Sequence, residues 1–278
     1  MTNVLLVMAA GVGAGSLGAM LGLGGGIFLV PLLGIAMGLP MSHAAAISLV
    51  TVIATSNFVS ASTAGRKAAN ARLAMVLQAA AALGALAGLQ ILDWIDERTR
   101  EQVFGGIALL VAAVMLARLD KRNVLDASVS DVGALGGYLH DPDTGRDVAY
   151  RVKRAPFALA VAFASGIISS LAGVGGGILI VPALNSWCGV PMRAAAATSA
   201  LTLGITALPA VIDSFAKGYL AMPRTAMAAG AVLGVLAGSR AGFWISRRVS
   251  VRSLKILMAV ILAGVALEYL FFKGGNLP

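Results

Sequence analysis

Two runs of three consecutive glycines are the residues whose type and spacing could do chemistry in this chain. The two runs are Gly24, Gly25 and Gly26, and then Gly175, Gly176 and Gly177. Consecutive glycines interrupt a helix, and without β-carbons they leave successive backbone N–H groups uncovered. At the start of the next helix, those N–H groups and the positive end of the helix dipole attract an anion. The pattern therefore predicts two anion-binding backbone segments. The alternative is that the glycines only allow close helix packing.

Hydroxyl side chains repeat at helical spacing in both parts of the chain. The two sets are Ser48, Thr51 and Thr55, and then Ser199, Thr202 and Thr206. The spacing i, i+3, i+7 places each set on one face of a helix. We expect the two faces to offer neutral hydrogen-bond donors to an oxyanion, with Asn57 extending the first. The alternative for each hydroxyl is a bond to its own helix backbone four residues back.

The remaining candidate groups are few. They are His43 as a proton carrier or an interfacial residue, Asn185, Trp187 and Cys188 as a vestibule lining or an interface, and Asp213 and Glu268 as coupling carboxylates. One cysteine excludes an internal disulfide, and two histidines exclude a multi-histidine metal site. No GxxxxGK[ST] sequence is present for ATP. We therefore expect no metal, no cofactor and no enzymatic activity, an intramembrane enzyme being the rejected alternative.

The segments around the glycines show that the chain is an internal duplication. Residues 15–31 read GSLGAMLGLGGGIFLVP and residues 166–182 read GIISSLAGVGGGILIVP, at a constant offset of 151. The same offset pairs Pro40 with Pro191 and Ser48 with Ser199. We predict a first transmembrane repeat over 1–118, a polar connector over 119–155 and a second repeat over 156–278.

The composition is that of a membrane protein. Hydrophobic residues make up 59% of the chain and charged residues 12%, with a mean hydropathy of +0.90. A soluble globular chain carries about 25% charged residues. No Asp, Glu, Lys or Arg occurs from Met1 to Gly65, and the first apolar segment does not have the basic start of a signal peptide, so we expect it to be retained. The basic residues lie in short loops, which indicates membrane topology rather than a nucleic-acid partner.

Each half contains five apolar segments, which predicts an all-α polytopic protein. The segments lie near 3–22, 26–38, 41–63, 73–92 and 102–118, and near 157–173, 177–188, 192–213, 225–243 and 254–272. The second segment of each half is too short for an untilted crossing. With three glycines before it and a proline after it, it is predicted to be half of a broken helix or a re-entrant element.

Loop charges predict that the two halves are inverted in the membrane. The loop with Arg66, Lys67 and Arg72 is basic in the first half, whereas the basic loop of the second half is the next one, with Arg247 and Arg248. Under the positive-inside rule, each half must then cross an odd number of times, and four crossings are excluded. The connector is predicted to be cytoplasmic, with a small hairpin near 138–150.

The duplicated G-x-G-G-G-x-x-x-V-P element, at Gly22–Pro31 and Gly173–Pro182, resembles the TauE/SafE sulfite exporter family. The resemblance covers both halves. It implies a secondary carrier that moves sulfite, sulfoacetate or another small anion outward across the bacterial inner membrane by alternating access around a central site. The expected partners are the anion, the lipid bilayer, a coupling proton or sodium ion and a second copy in a homodimer. The alternatives are an anion channel, a permease for a non-sulfur organic anion and a subunit of a larger complex.

Overall fold

The computed structural model describes residues 2–21, 23–62, 68–117, 132–141, 146–246 and 249–272. Within these ranges the protein is α-helical apart from one hairpin. The helices are α1 Thr2–Leu21, α2 Gly26–Ala36, α3 Met41–Ala61, α4 Ala71–Leu92, α5 Glu97–Ala117, α6 Ala155–Ala172, α7 Gly177–Ser186, α8 Met192–Ala216, α9 Arg224–Ser246 and α10 Val251–Leu267. A π-helical turn, Glu268–Phe272, follows α10, and strands β1 Gly137–Asp141 and β2 Arg146–Tyr150 pair antiparallel.

The prediction of ten apolar helices is confirmed, with ends that differ by a few residues. The strand pair occupies the part of the connector where the sequence predicts a hairpin. Several predicted features lie outside the described residues: Gly22, the loop residues Arg66 and Lys67, the connector at 118–131, the hairpin turn at 142–145, and Arg247 and Arg248.

Among the described residues, five helices are long and apolar enough to cross a membrane. They span Val4–Leu21, Met41–Ala61, Ala71–Leu92, Ala155–Ala172 and Met192–Ala216. Large apolar side chains face outward from them, such as Met75 at 70% exposure and Ile212 at 67%. By contrast, α2 and α7 have 11 and 10 residues. At 1.5 Å per residue each covers about half of the roughly 30 Å hydrocarbon core.

The two halves interlock rather than lie side by side. Helix α1 of the first half packs on α9 of the second, and its equivalent α6 packs on α4. In the same way α3 packs on α9, and its equivalent α8 packs on α4. Two further contacts, of α3 with α8 and of α5 with α10, join equivalent helices. Exchanging the halves leaves this set of contacts unchanged. The largest cluster of buried apolar residues joins α1, α2, α3 and α5 to α9 and α10.

Glycines set the spacing of the two closest helix pairs. A β-carbon at Gly234 or Gly238 would collide with the backbone of Met8 or Val12 in α1, so α1 and α9 run parallel in contact. In the other pair, α4 and α6, a β-carbon at Gly84 would collide with the backbone of Phe163, and one at Gly88 with the backbone of Ile167. Here α4 and α6 also run parallel. Spaced glycines of this kind let membrane helices approach closely.

Contacts between turns define two ends of the molecule. At the first, which we call the Lys217 end, the Lys217 Nζ atom lies 2.5 Å from Asp93 Oδ1, and the Ser42 N–H donates to Glu97 Oε1 at 3.2 Å. The α2–α3, α4–α5 and α8–α9 turns therefore lie together.

At the second, the Asn70 end, the Asn70 amide donates to Leu135 O at 2.8 Å, and the Lys153 N–H donates to Cys188 O at 2.8 Å. The start of α4, the hairpin and the α7–α8 turn lie together there.

Candidate functional site at two adjacent helix breaks

The two glycine runs meet inside the molecule. A β-carbon at Gly26 would lie 3.2 Å from Val174 Cα. The side chain of Val52 lies between the runs, where it would be 3.3 Å from a β-carbon at Gly24 and 2.5 Å from one at Gly175. We call the run at Gly24–Gly26 the first break and the run at Gly175–Gly177 the second break. The two breaks form one continuous region of backbone, on which α3 packs.

Both breaks use backbone conformations that favour glycine. Gly24 and Gly175 have φ of 78°, and Gly25 and Gly176 have φ of 74° and 70°. Gly25 and Gly176 are the N-caps of α2 and α7, without a side-chain cap. The first N–H groups of a helix have no partner within it, and the helix dipole makes that end positive. The site thus brings two positive helix ends together at the centre of the protein.

The threonine hydroxyls at the site are engaged with their own helices. Thr51 Oγ1 donates to Ser48 O at 2.7 Å, and Thr55 Oγ1 donates to Thr51 O at 2.8 Å. In α8, Thr202 and Thr206 make the equivalent bonds at 2.7 and 2.8 Å. In this conformation the four donors are occupied, which is the alternative that the sequence left open for each hydroxyl.

The two serines of the hydroxyl faces differ from each other. Ser48 Oγ donates to Gly173 O at 2.7 Å, across the two halves. Ser199 Oγ is buried and has no hydrogen-bond partner among the described residues. One of these six predicted donors is therefore free within the described part of the chain.

Burial separates Asn57 from the other predicted site residues. Asn57 is exposed, whereas all twelve others are buried. They are Gly24, Gly25, Gly26, Ser48, Thr51, Thr55, Gly175, Gly176, Gly177, Ser199, Thr202 and Thr206. In the part of the chain that the structure describes, the residues of both breaks are therefore shielded from solvent.

Sequence reasoning missed three serines around the breaks. Ser165 and Ser169 in α6 are fully buried, and Ser165 Oγ donates to Gly176 O. Ser56 in α3 donates to Ala200 O in α8 at 2.7 Å. The i, i+4 spacing of Ser165 and Ser169, just before the second glycine run, was a signal that could have identified those two.

Three of the other candidate residues, His43, Asp213 and Asn185, lie near the two ends of the molecule. His43 packs against Tyr219 at the Lys217 end, with ring centroids 5.3 Å apart. Asp213 lies 3.1 Å from Lys217 Nζ there. Burial lowers the pKa of Lys217, but hydrogen bonds to Asp93 and Asp213 outweigh it and raise the pKa overall. At the Asn70 end, Asn185 Nδ2 donates to Val190 O at 3.0 Å within the α7–α8 turn, so it supports that turn.

Comparisons with known proteins find a matching family and relatives that are described as membrane transporters. Residues 7–269 match the family described as sulfite exporter TauE/SafE. The chain is 22% identical to the "Probable membrane transporter protein YunE" of Bacillus subtilis (strain 168) over 278 residues, which cover 98% of each chain. It is 26% identical to a "Probable membrane transporter protein" of Haemophilus influenzae over 302 residues, which cover 98% of this chain and 99% of the relative. No solved structure matches the chain.

Proposed function

Because the chain belongs to the TauE/SafE sulfite exporter family, we propose that this multi-pass membrane transporter is a secondary carrier of small sulfur-containing oxyanions such as sulfite or sulfoacetate. It would export them across the bacterial inner membrane by alternating access. The observation that carries the proposal is the meeting of two positive helix ends, at Gly25 and Gly176, in a buried centre. Backbone N–H groups at such ends bind oxyanions without a fixed cationic side chain.

Inverted repeats fit the way the helices run between the two ends. Helix α9 starts at the Lys217 end, and α1 runs parallel to it, with Val4 beside Gly230. Helix α6 starts at the Asn70 end, next to Lys153, and runs parallel to α4. The first helices of the two halves would therefore start on opposite sides of the membrane, with the Asn70 end and the connector in the cytoplasm. Substrate sites of inverted-repeat carriers lie between the repeats near the midplane.

Alternating access follows from the burial of the site. The breaks are closed in this conformation, so export requires one end to open toward the cytoplasm and then the other to open outward. A channel would instead need a continuous path. Saturable counterflow of labelled sulfite in proteoliposomes would support the carrier, whereas conductance at channel rates would exclude it.

The test of the site compares two glycine variants. Gly176→Leu should abolish sulfite transport while membrane insertion is retained, because a side chain at φ 70° strains the backbone and fills the break beside Ser165. Gly38→Leu is the matched control, since Gly38 also has a positive φ, 64°, but a β-carbon there meets nothing within 4 Å. Equal transport by the two variants would contradict the proposed site.

Substrate and coupling ion are tested in the same proteoliposomes. We expect sulfite or sulfoacetate, rather than sulfate or formate, to compete with labelled sulfite, and an imposed proton or sodium gradient to accelerate export. If only non-sulfur anions compete, the chain is a permease for another class of organic anion.

A further inference from the structure

The two helix breaks are lined by different side chains. Ser165 of α6 donates to Gly176 O at the second break, and Ser169 follows it one helical turn later. At the offset of 151, the equivalent residues of α1 are Ala14 and Gly18, which carry no hydroxyl. The second break is therefore richer in hydrogen-bond donors than the first, although the backbone angles of the two N-caps agree within a few degrees: φ 74° and ψ −22° at Gly25, and φ 70° and ψ −20° at Gly176.

Ser169 lies on the face of α6 that packs on the start of α7. Ser165 Oγ contacts Gly176 directly, and Ser169 follows one turn later on the same face. The equivalent position in α1 is Gly18, where a β-carbon would collide with Gly25 N, the N-cap nitrogen of α2. By this equivalence, we expect the side chain of Ser169 on the side of α6 that faces the start of α7, a helix of 10 residues.

Ser199 approaches the same helix start from α8. Its equivalent in α3 is Ser48, whose Oγ atom lies 2.7 Å from the position of a β-carbon at Gly26. The N-caps of α3 and α8, Pro40 and Pro191, have nearly identical angles, with φ −53° and −56°. By this equivalence, we expect Ser199 to face the start of α7 as Ser48 faces the start of α2.

Both hydroxyls are fully buried and lack a hydrogen-bond partner. Ser169 and Ser199 are 0% exposed, and neither Oγ atom has a partner among the described residues. Ser48 differs, because it is bonded to Gly173 O. For Ser199, the acceptor equivalent to Gly173 O is Gly22 O, and Gly22 lies outside the described residues. The missing partner of Ser169 is therefore the stronger observation. A buried hydroxyl without a partner destabilises a fold, which favours a ligand as its missing acceptor.

We propose that the start of α7, with Ser169 and Ser199, is the subsite that holds an oxygen of the transported anion. The two hydroxyls would donate to one oxygen of a small oxyanion, and the positive end of the α7 dipole would attract its charge. The N–H groups of Gly177 and Leu179 are already bonded to Gly175 O and Gly176 O. At the first break, the equivalent hydroxyl of Ser48 is already bonded to Gly173 O. This inference rests on the proposed function and assigns unequal roles to two segments that the duplication makes look equivalent.

A stability measurement tests the free hydroxyls without transport. Ser169→Ala and Ser199→Ala should leave the melting temperature of the anion-free, detergent-purified protein unchanged or raised, because no bond is lost. The matched control is Ser170→Ala, which removes a bond of 2.8 Å to Ala85 O, and its melting temperature should fall. A fall in both site variants as large as in the control would overturn the proposal.

A binding measurement tests the ligand. Sulfite, sulfoacetate, thiosulfate and formate are each titrated into the purified wild type and variants. Each site variant should weaken binding of the best oxyanion about ten-fold, the effect of one lost hydrogen bond to a charged group, while Ser170→Ala should bind as the wild type does. If the wild type and both site variants bind equally, this inference fails and the proposed function stands. If none of the four anions binds to the wild type, both fail.

Discussion

Ser56 in α3 donates a hydrogen bond of 2.7 Å to the carbonyl oxygen of Ala200 in α8. The same hydroxyl accepts the N–H of Gly204 at 3.0 Å. In a regular helix, the N–H of Gly204 would bond directly to Ala200 O, four residues earlier. The hydroxyl is therefore inserted into the hydrogen-bond ladder of α8, where it joins the two halves of the protein near their centre.

Ser56→Ala should lower the stability of the protein. The variant loses two bonds between halves, although Gly204 can then bond to Ala200 within α8, so we expect a loss of about 1–2 kcal/mol. The control is Ser60→Ala, one turn further along α3, whose hydroxyl bonds to Ser56 O in its own helix at 2.7 Å. Thermal unfolding in detergent measures the stability of both variants. An equal loss in the two would show that the inserted hydroxyl of Ser56 stabilises the protein no more than a hydroxyl bonded within its own helix.

Local sequence patterns were sufficient to predict the helices. Apolar runs bounded by glycine or proline, such as the one that α2 forms between Gly25 and Pro40, mark helix ends without reference to the rest of the chain. The start of α5 was predicted too late, at 102 instead of 97, because its first turn is polar. Thr99 Oγ1 donates to Asp96 Oδ1 at 2.5 Å, and this contact supports a helix start that the apolar pattern does not show.

The partners of the hydroxyls could not be predicted in the same way. Whether Ser48, Ser56 or Ser199 bonds to its own helix, to another helix or to nothing depends on the register of helices more than 100 residues apart in sequence. The repeat predicts which positions are equivalent, but it does not predict the bond that each hydroxyl makes. Ser48 reaches Gly173 O, while Ser199 has no partner among the described residues.

The contact of α4 with α6 should tolerate no side chain at Gly166. A β-carbon there would collide with Ala81 O and lie 2.7 Å from Ala85 N, so Gly166→Ala must separate the helices and should cost about 1–3 kcal/mol. Gly106→Ala in α5 is the control, because a β-carbon at Gly106 meets nothing within 4 Å. That change should leave stability equal or raise it by up to about 1 kcal/mol. Denaturation in mixed micelles compares the two, and a neutral Gly166→Ala would contradict the close approach.

Asn70 should attach the hairpin to the helical body. Its side chain caps α4 by accepting from the Leu73 N–H at 3.1 Å, and its amide donates to Leu135 O and Gly136 O. Burial raises the pKa of Tyr150 in β2, and a hydrogen bond with Asn70 lowers it. Asn70→Ala should therefore release the hairpin, which would expose Tyr150 and return its pKa toward that of a free tyrosine.

Limited proteolysis and a spectroscopic pH titration of the tyrosines measure this release. The matched control is Ser250→Ala, because Ser250 caps α10 by accepting from the Ser253 N–H at 3.1 Å. This variant loses only a helix cap, which lowers stability by about 1 kcal/mol. Cleavage within 132–150 should accelerate in Asn70→Ala and stay unchanged in Ser250→Ala. Equal protection of the hairpin in both would show that other contacts attach it.

The proposed topology makes a prediction for cysteine labelling that uses the properties of Cys188. Burial raises the pKa of this thiol to about 11, opposed by the nearby Arg154, so at neutral pH it holds little reactive thiolate. The wild-type chain should therefore react slowly with a membrane-impermeant maleimide, even in permeabilised cells. It serves as the low-background reference, and a Cys188→Ala chain is the parent for new cysteines.

Cysteines introduced at the two ends should label from opposite sides of the membrane. Trp94→Cys and Met222→Cys replace side chains that are 89% and 78% exposed near the Lys217 end, and they should react in intact spheroplasts. Ala69→Cys and Ser250→Cys should react only after permeabilisation, because the Asn70 end and the α9–α10 turn are expected in the cytoplasm. Labelling of Trp94→Cys and Met222→Cys from different sides would contradict the Lys217–Asp93 contact. Reversal of all four would keep the inverted repeats but invert the protein in the membrane.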